Sequence, residues 1–271
     1  MKLTIAGDLV KVQNYTPYRV TKKGTPRSKK RNPTSDAVKK NNQTLRAERL
    51  QMLIMLNFKH GYMAVLEYDK GSSPRTYQDA DKYMMQILKR IKRTHKDFKY
   101  IATTERGKVS KELHHHVVVD SLESAKLLHA AWAAGYMPEP RQIYQDGNSF
   151  KSLATYLIKQ ETKEEKPKGF PSYHASKNLI QPHVEYHVIE EPWQDEPTPP
   201  QGYEIIPQSL KNGFNEHIGI KYQSYMLKRK FEPLERTQYR IMKKRERTQK
   251  SNVFNRIKKL AKAAADFVRK Q

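Results

Sequence analysis

Between residues 62 and 161 the apolar residues switch repeatedly between strand period and helix period, and that alternation limits the fold more than any other feature of the chain. The run YMAVLEY at 62–68 has strand length. After the loop GSSPRTYQDAD, residues 77–94 set Tyr83, Met84, Ile87, Leu88 and Ile91 at helical spacing. KYIATTER at 99–106 and the β-branched LHHHVVV at 113–119 read as strands joined by the turn GKVSK. An Ala/Leu helix over 122–134 is expected to end at Gly135, followed by a fourth strand at 141–145 and a helix, SFKSLATYLIKQE, at 149–161. The order β-α-β-β-α-β-α predicts an α+β domain of the ferredoxin-like or RRM-like kind. Its antiparallel sheet carries helices on one face and leaves the other free for a ligand.

The flanks differ in composition. A leading helix over 36–58, capped by Ser35 or Asp36, completes a domain at 36–165. Residues 1–35, with KKGTPRSKKRNPTS, read as a flexible basic arm. Residues 166–219 read as a linker with one possible strand at 183–189 and the Pro-rich acidic stretch EEPWQDEPTPPQ. Residues 220–271 read as a basic helical tail, amphipathic over 253–268. Net charge is +8 over 1–33, +13 over 221–271 and only +3 between them. One-sign blocks at both ends of a chain of net charge +24 repel themselves, so a polyanion is the expected partner.

Other classes are set aside. Apolar runs such as Met52 to Leu56 fall far short of the ~18–20 residues that span a bilayer, so no membrane is expected. MKLTIAGDLV has no long apolar core and no small-residue cleavage site, so no signal peptide is expected. The chain has no Cys, which excludes disulfides and thiolate metal sites and fits a cytoplasmic location.

The chemistry concentrates between Glu105 and Lys159. On a strand, His114 and His116 project to one side and His115 to the other. Two imidazoles at this spacing can hold one metal ion. A carboxylate would complete the set, from Glu105 across the turn or from Glu112 on the same strand. An open site that grips phosphate suits Mg²⁺ or Mn²⁺. Tyr156 and Lys159 lie on adjacent turns of one helix face, a phenol able to attack phosphorus and a cation able to neutralise phosphate.

LHHHVVV followed by YLIK resembles the HUH endonucleases, in particular the rolling-circle replication initiators of plasmids and phages. The resemblance spans about residues 60–160. It implies His114, His116 and Glu105 as metal ligands, Tyr156 as nucleophile and Lys159 as its lysine. It also implies nicking and joining of single-stranded DNA at a replication origin through a 5′-phosphotyrosine. This chain departs from the family pattern in having His115, where an apolar residue is usual, and AVLEYD at 64–69, where the first motif is usually Thr-rich. Having the His pair before the tyrosine is the order of initiators and small single-strand transposases, the reverse of relaxases. No Gly-x-x-x-x-Gly-Lys-Ser/Thr segment is present, so a host helicase would unwind the duplex and a host polymerase would extend the freed 3′ end.

The alternatives are a transposase of the same chemistry and a non-catalytic RRM-like nucleic-acid-binding protein. His174, His183 and His187 form a second histidine group, Tyr173 sits among cations as a base-stacking candidate, and Tyr144 is a rival nucleophile. Trp132 is expected in the core, and Trp193 as an anchor for its linker.

Overall fold

The computed structural model describes residues 1–17, 36–107, 109–144, 149–158, 166–167, 169–190, 192–215 and 219–230. The elements run β1 (Lys2–Ala6), β2 (Leu9–Tyr15), α1 (Asp36–Asn57), β3 (Tyr62–Glu67), α2 (Tyr77–Thr94), β4 (Tyr100–Arg106) and β5 (Leu113–Val119). They continue through α3 (Leu122–Ala131), β6 (Arg141–Gln142), α4 (Lys151–Ile158), β7 (His174–Ala175), β8 (His183–Tyr186), β9 (Tyr203–Ile205), β10 (Lys211–Asn215) and β11 (Ile220–Arg229).

One sheet runs β6-β3-β5-β4-β7, with every pairing antiparallel. Its first four strands are the fourth, first, third and second of the expected motif, which is the ferredoxin-like split arrangement. The chain is thus α+β, as expected. α2 begins where its pattern does, because the Thr76 hydroxyl accepts a hydrogen bond from the Asp79 N–H at 3.1 Å. Met84, Ile87, Leu88 and Ile91 of α2 and Ala125 and Leu128 of α3 bury against Ala64, Leu66, Ala102, Val117 and Val119 of the sheet.

The opposite face is not free. Met63, Ile101 and Val118 are covered by Leu53 and Ile54 of α1, by Phe58, and by Ala154 and Leu157 of α4. Among the described residues, the end of this face that carries Glu105 and His114 stays partly open.

A second sheet, β10-β11-β2-β1-β8 with β9 on β11, matches the sequence-based expectation only in β8, which falls within the possible strand at 183–189. Residues 2–15 form a hairpin, not an arm, around a two-residue Gly7-Asp8 turn with Gly7 at φ +62°. Leu3, Ile5, Val10 and Val12 alternate toward one side and pack with Tyr225 and Leu227, an apolar pattern obscured when charge is averaged over the whole arm. The segment read as a linker supplies β7 to β10, and residues 220–229 of the predicted helical tail form β11, paired with β2. Ala6, Leu9, Ile206 and Met226 of this second layer bury against α1 and α4. Ser35, residues 18–34, 159–165 and the amphipathic stretch at 253–268 lie outside the described residues.

α3 stops at Ala131 rather than 134, because residues 134–136 hydrogen-bond along the end of β3. Gly135 is therefore a close-approach residue, not a helix cap. A Cβ there would lie 2.3 Å from the Glu67 carbonyl oxygen and 2.5 Å from the Asp69 nitrogen, both backbone atoms. Gly135→Ala should destabilise the protein by about 1–3 kcal/mol in urea unfolding; an unchanged midpoint would show that the backbone yields.

Candidate active site

The β4–β5 hairpin builds the centre of the site. Its register sets Glu105 opposite His114 and Thr103 opposite His116, so all four side chains share the face that α4 also covers. Glu105 Oε1 lies 3.2 Å from His114 Nε2 and 2.7 Å from His116 Nε2, and the two nitrogens are 3.2 Å apart. His116 is buried, while His114 and Glu105 keep partial access to solvent. Burial alone would push the Glu105 carboxyl up; hydrogen bonds and charge from His114 and His116 outweigh it and hold it near 2.

These three ligand atoms form the group able to hold a metal ion among the described residues. Their fit can be tested on spacing. Adjacent ligands of an octahedral Mg²⁺, at ~2.1 Å from the ion, stand about 3 Å apart. The observed separations of 2.7–3.2 Å match. Two imidazoles and one carboxylate also leave further coordination positions for water and phosphate oxygens. Glu112, the other carboxylate considered, is elsewhere: it sits in the turn and accepts from the Gly71 N–H at 3.2 Å.

Tyr156 reaches this centre from α4. Its hydroxyl is 3.1 Å from His116 Nε2, with the rings edge to face at 5.2 Å and the phenol still partly exposed. Two consecutive left-handed residues, Ser149 (φ 55°) and Phe150 (φ 66°), precede the helix. For non-glycine residues this is strained backbone, of order 1–3 kcal/mol each. The fully buried Phe150 ring and a 3.1 Å bond from Gln51 Nε2 to the Ser149 carbonyl hold it in place. Lys159 lies outside the described residues.

His115 faces the other way, as expected, and is fully buried. The Tyr68 hydroxyl at 2.8 Å and the Thr104 hydroxyl at 2.9 Å engage its two nitrogens, and Trp132, a core residue as expected, packs edge-on. Burial first, then the neighbouring His114 charge, pushes it from 6.5 down to about 3. A neutral, fully satisfied histidine can thus stand where an apolar spacer would.

The other candidates separate from this centre. His174 pairs with Asp81 at 2.9 Å, away from His183 and His187, which share Glu185 on an exposed edge. Tyr173 packs on the core rather than presenting a stacking face, and Tyr144 is exposed. Trp193 lies beside Asn212 and Tyr222 of the second sheet, and Gln223 Nε2 bonds the next carbonyl, Gln194 O, at 2.8 Å. Two residues escape the sequence reading. Glu67 faces His114 from β3, legible only once β3 is known to neighbour β5. Lys166, in a polar stretch with no distinguishing pattern, is partly buried, and that burial pulls its ammonium below the ordinary lysine range against the opposing charges of Glu105 and Asp81.

A family model described as a replication-associated protein of the ORF2 type matches residues 61–165. That span holds β3 to α4, including Glu105, His114, His116 and Tyr156, and none of the second sheet. No curated protein and no solved structure matches the chain.

Mn²⁺ should raise the thermal midpoint of the protein, since a ligand of the folded state alone stabilises it. The shift should vanish in His116→Ala and Glu105→Ala and persist in Glu112→Ala; a shift lost only in Glu112→Ala would reassign the third ligand. His115 gives a pH prediction. The unfolded chain binds a proton near 6.5 and the folded chain near 3. Stability should therefore fall as pH drops through that window, by up to about 1.4 kcal/mol per unit. His115→Gln should flatten this slope in urea unfolding between pH 6.5 and 4.5, and an unaltered slope would place the proton uptake elsewhere.

Proposed function

We propose that this chain initiates replication of a small replicon by nicking and rejoining single-stranded DNA at its origin, as an HUH-type rolling-circle initiator. The observation that carries the reading is the approach of the Tyr156 hydroxyl to within 3.1 Å of the His116 nitrogen that borders Glu105 and His114. The similarity of residues 61–165 to replication-associated proteins supports the biological setting.

Glu105, His114 and His116 would hold the ion. A bound Mg²⁺ or Mn²⁺ would supply Lewis-acid polarisation of the scissile phosphate. The chain's own residues do the rest. Glu105, held ionised down to about pH 2, keeps a negative charge in the ligand set at every working pH. The strained entry to α4 and the burial of Ala154 and Leu157 fix the phenol beside the ligand atoms, so attack is close to intramolecular. The Tyr156 oxygen forms a bond to phosphorus as the bond from phosphorus to the 3′ oxygen breaks. The phenol loses its proton to solvent, and the departing 3′ oxygen takes one up. The 5′ end stays on Tyr156, and the free 3′-OH serves a host polymerase. Attack by that 3′-OH on the phosphotyrosine reverses the step. Lys159, one helical turn beyond Tyr156 in sequence, is proposed to neutralise the phosphate.

Incubated with Mn²⁺ and single-stranded origin DNA, the protein should form a covalent complex that survives denaturing electrophoresis. Chelation should abolish it. Tyr156→Phe should lower its rate by on the order of 10⁴ to 10⁶ while leaving DNA affinity within a few-fold. Equal nicking by Tyr156→Phe, or nicking in excess chelator, would overturn the assignment.

A further inference from the structure

A cleft of about 750 Å³ opens between α2 and residues 167 and 169–174. Gln78, Lys82, Gln86 and Lys89 line it from one helix face, and Met85 and Phe170 give it an apolar wall. Its one acidic side chain, Asp81, is already paired with His174 at 2.9 Å. What remains is two ammonium groups, two amides and an apolar surface. That set suits one nucleotide of a single strand: cations for phosphate, amides for the base edge, and an apolar wall for the base face. A duplex, whose base faces are covered, gains nothing from such a wall.

The cleft lies on the α2 face of the sheet, opposite the face that carries the ligand residues, so the two communicate around the edge of β4. His174 pairs with Ala102 of β4, and Glu105 follows three residues along the same strand. At ~3.3 Å per residue this is about 10 Å along the backbone, and the odd spacing turns the two side chains to opposite faces. Lys166 adds a cation beside the cleft, its ammonium 5.9 Å from the Phe170 ring centre. A strand leaving the ligand cluster around the edge of β4 would meet Lys166 and then Lys82 and Lys89 of the cleft.

We infer that the cleft between α2 and residues 167 and 169–174 binds a nucleotide flanking the scissile phosphate and reads its base through Gln78 and Gln86. The inference rests on the nicking reading for the identity of the strand, and it assigns the sequence preference of that reaction to residues away from the catalytic centre. Lys82 and Lys89 add affinity without base preference.

Binding selection tests it without relying on catalysis. The full-length Tyr156→Phe protein is challenged with randomised single-stranded DNA in Mn²⁺, and the bound pool is sequenced. Gln78→Ala/Gln86→Ala, both on exposed positions, should reduce the preference at one or two adjacent positions by about tenfold and leave the others intact. Lys82→Ala/Lys89→Ala should lower affinity for all sequences and reduce the salt slope by about 1.4. A uniform loss at every position in the glutamine variant, an unchanged profile, or a parent profile with no preferred base would each overturn the proposal. The unmodified protein is assayed for covalent product on the selected sequence. If that product is missing while the two positions still respond to the glutamines, the nicking reading fails and the cleft stands.

Discussion

Everything at this site depends on the register of one hairpin. A two-residue period on β5 puts His114 and His116 on one face, and antiparallel pairing delivers Glu105 beside them. A shift by one residue would turn all three side chains toward α2 and α3, into a face packed with Val117 and Val119. His115 guards against that slip. Its two nitrogens are already taken by Tyr68 and Thr104, so the buried face accepts it only in this register. The residue that departs from the family pattern is thus part of what fixes the ligands.

The second constraint is the placement of the phenol. α4 is short, and its entry costs strain at Ser149 and Phe150. The core shared by α1, α4 and both sheets supplies the compensation, through Phe150, Ala154 and Leu157. In this way the second sheet, though distant from the ligands in sequence and outside the span similar to replication-associated proteins, helps hold the helix that carries Tyr156. Strain located beside a candidate nucleophile is a familiar companion of preorganised chemistry.

Local pattern makes the middle of the chain legible. α2, β4 and β5 follow their periods because amphipathic spacing and β-branched runs report burial directly, and the His pair follows from strand geometry alone. The choice between Glu105 and Glu112 is not legible, since it depends on how the turn closes: the Gly107 N–H bonds the Glu112 carbonyl, leaving that side chain to Gly71. The second sheet is hidden for a different reason. β2 pairs with β11 more than 200 residues away, and the basic residues interspersed along 1–33 make the hairpin look like a charged arm. Lys166 carries no signal, because nothing local distinguishes a lysine that folds back over an aromatic ring from one in solvent.

The proposed function rests on one phenol standing beside imidazoles able to hold a metal ion. Mass-spectrometric mapping of the protein–DNA adduct tests it most directly. After incubation with Mn²⁺ and digestion of protein and DNA, the residual nucleotide should be carried by the peptide containing Tyr156, through its phenol oxygen. A nucleotide on Tyr144, Tyr173 or any other residue would contradict the geometry on which the function is built.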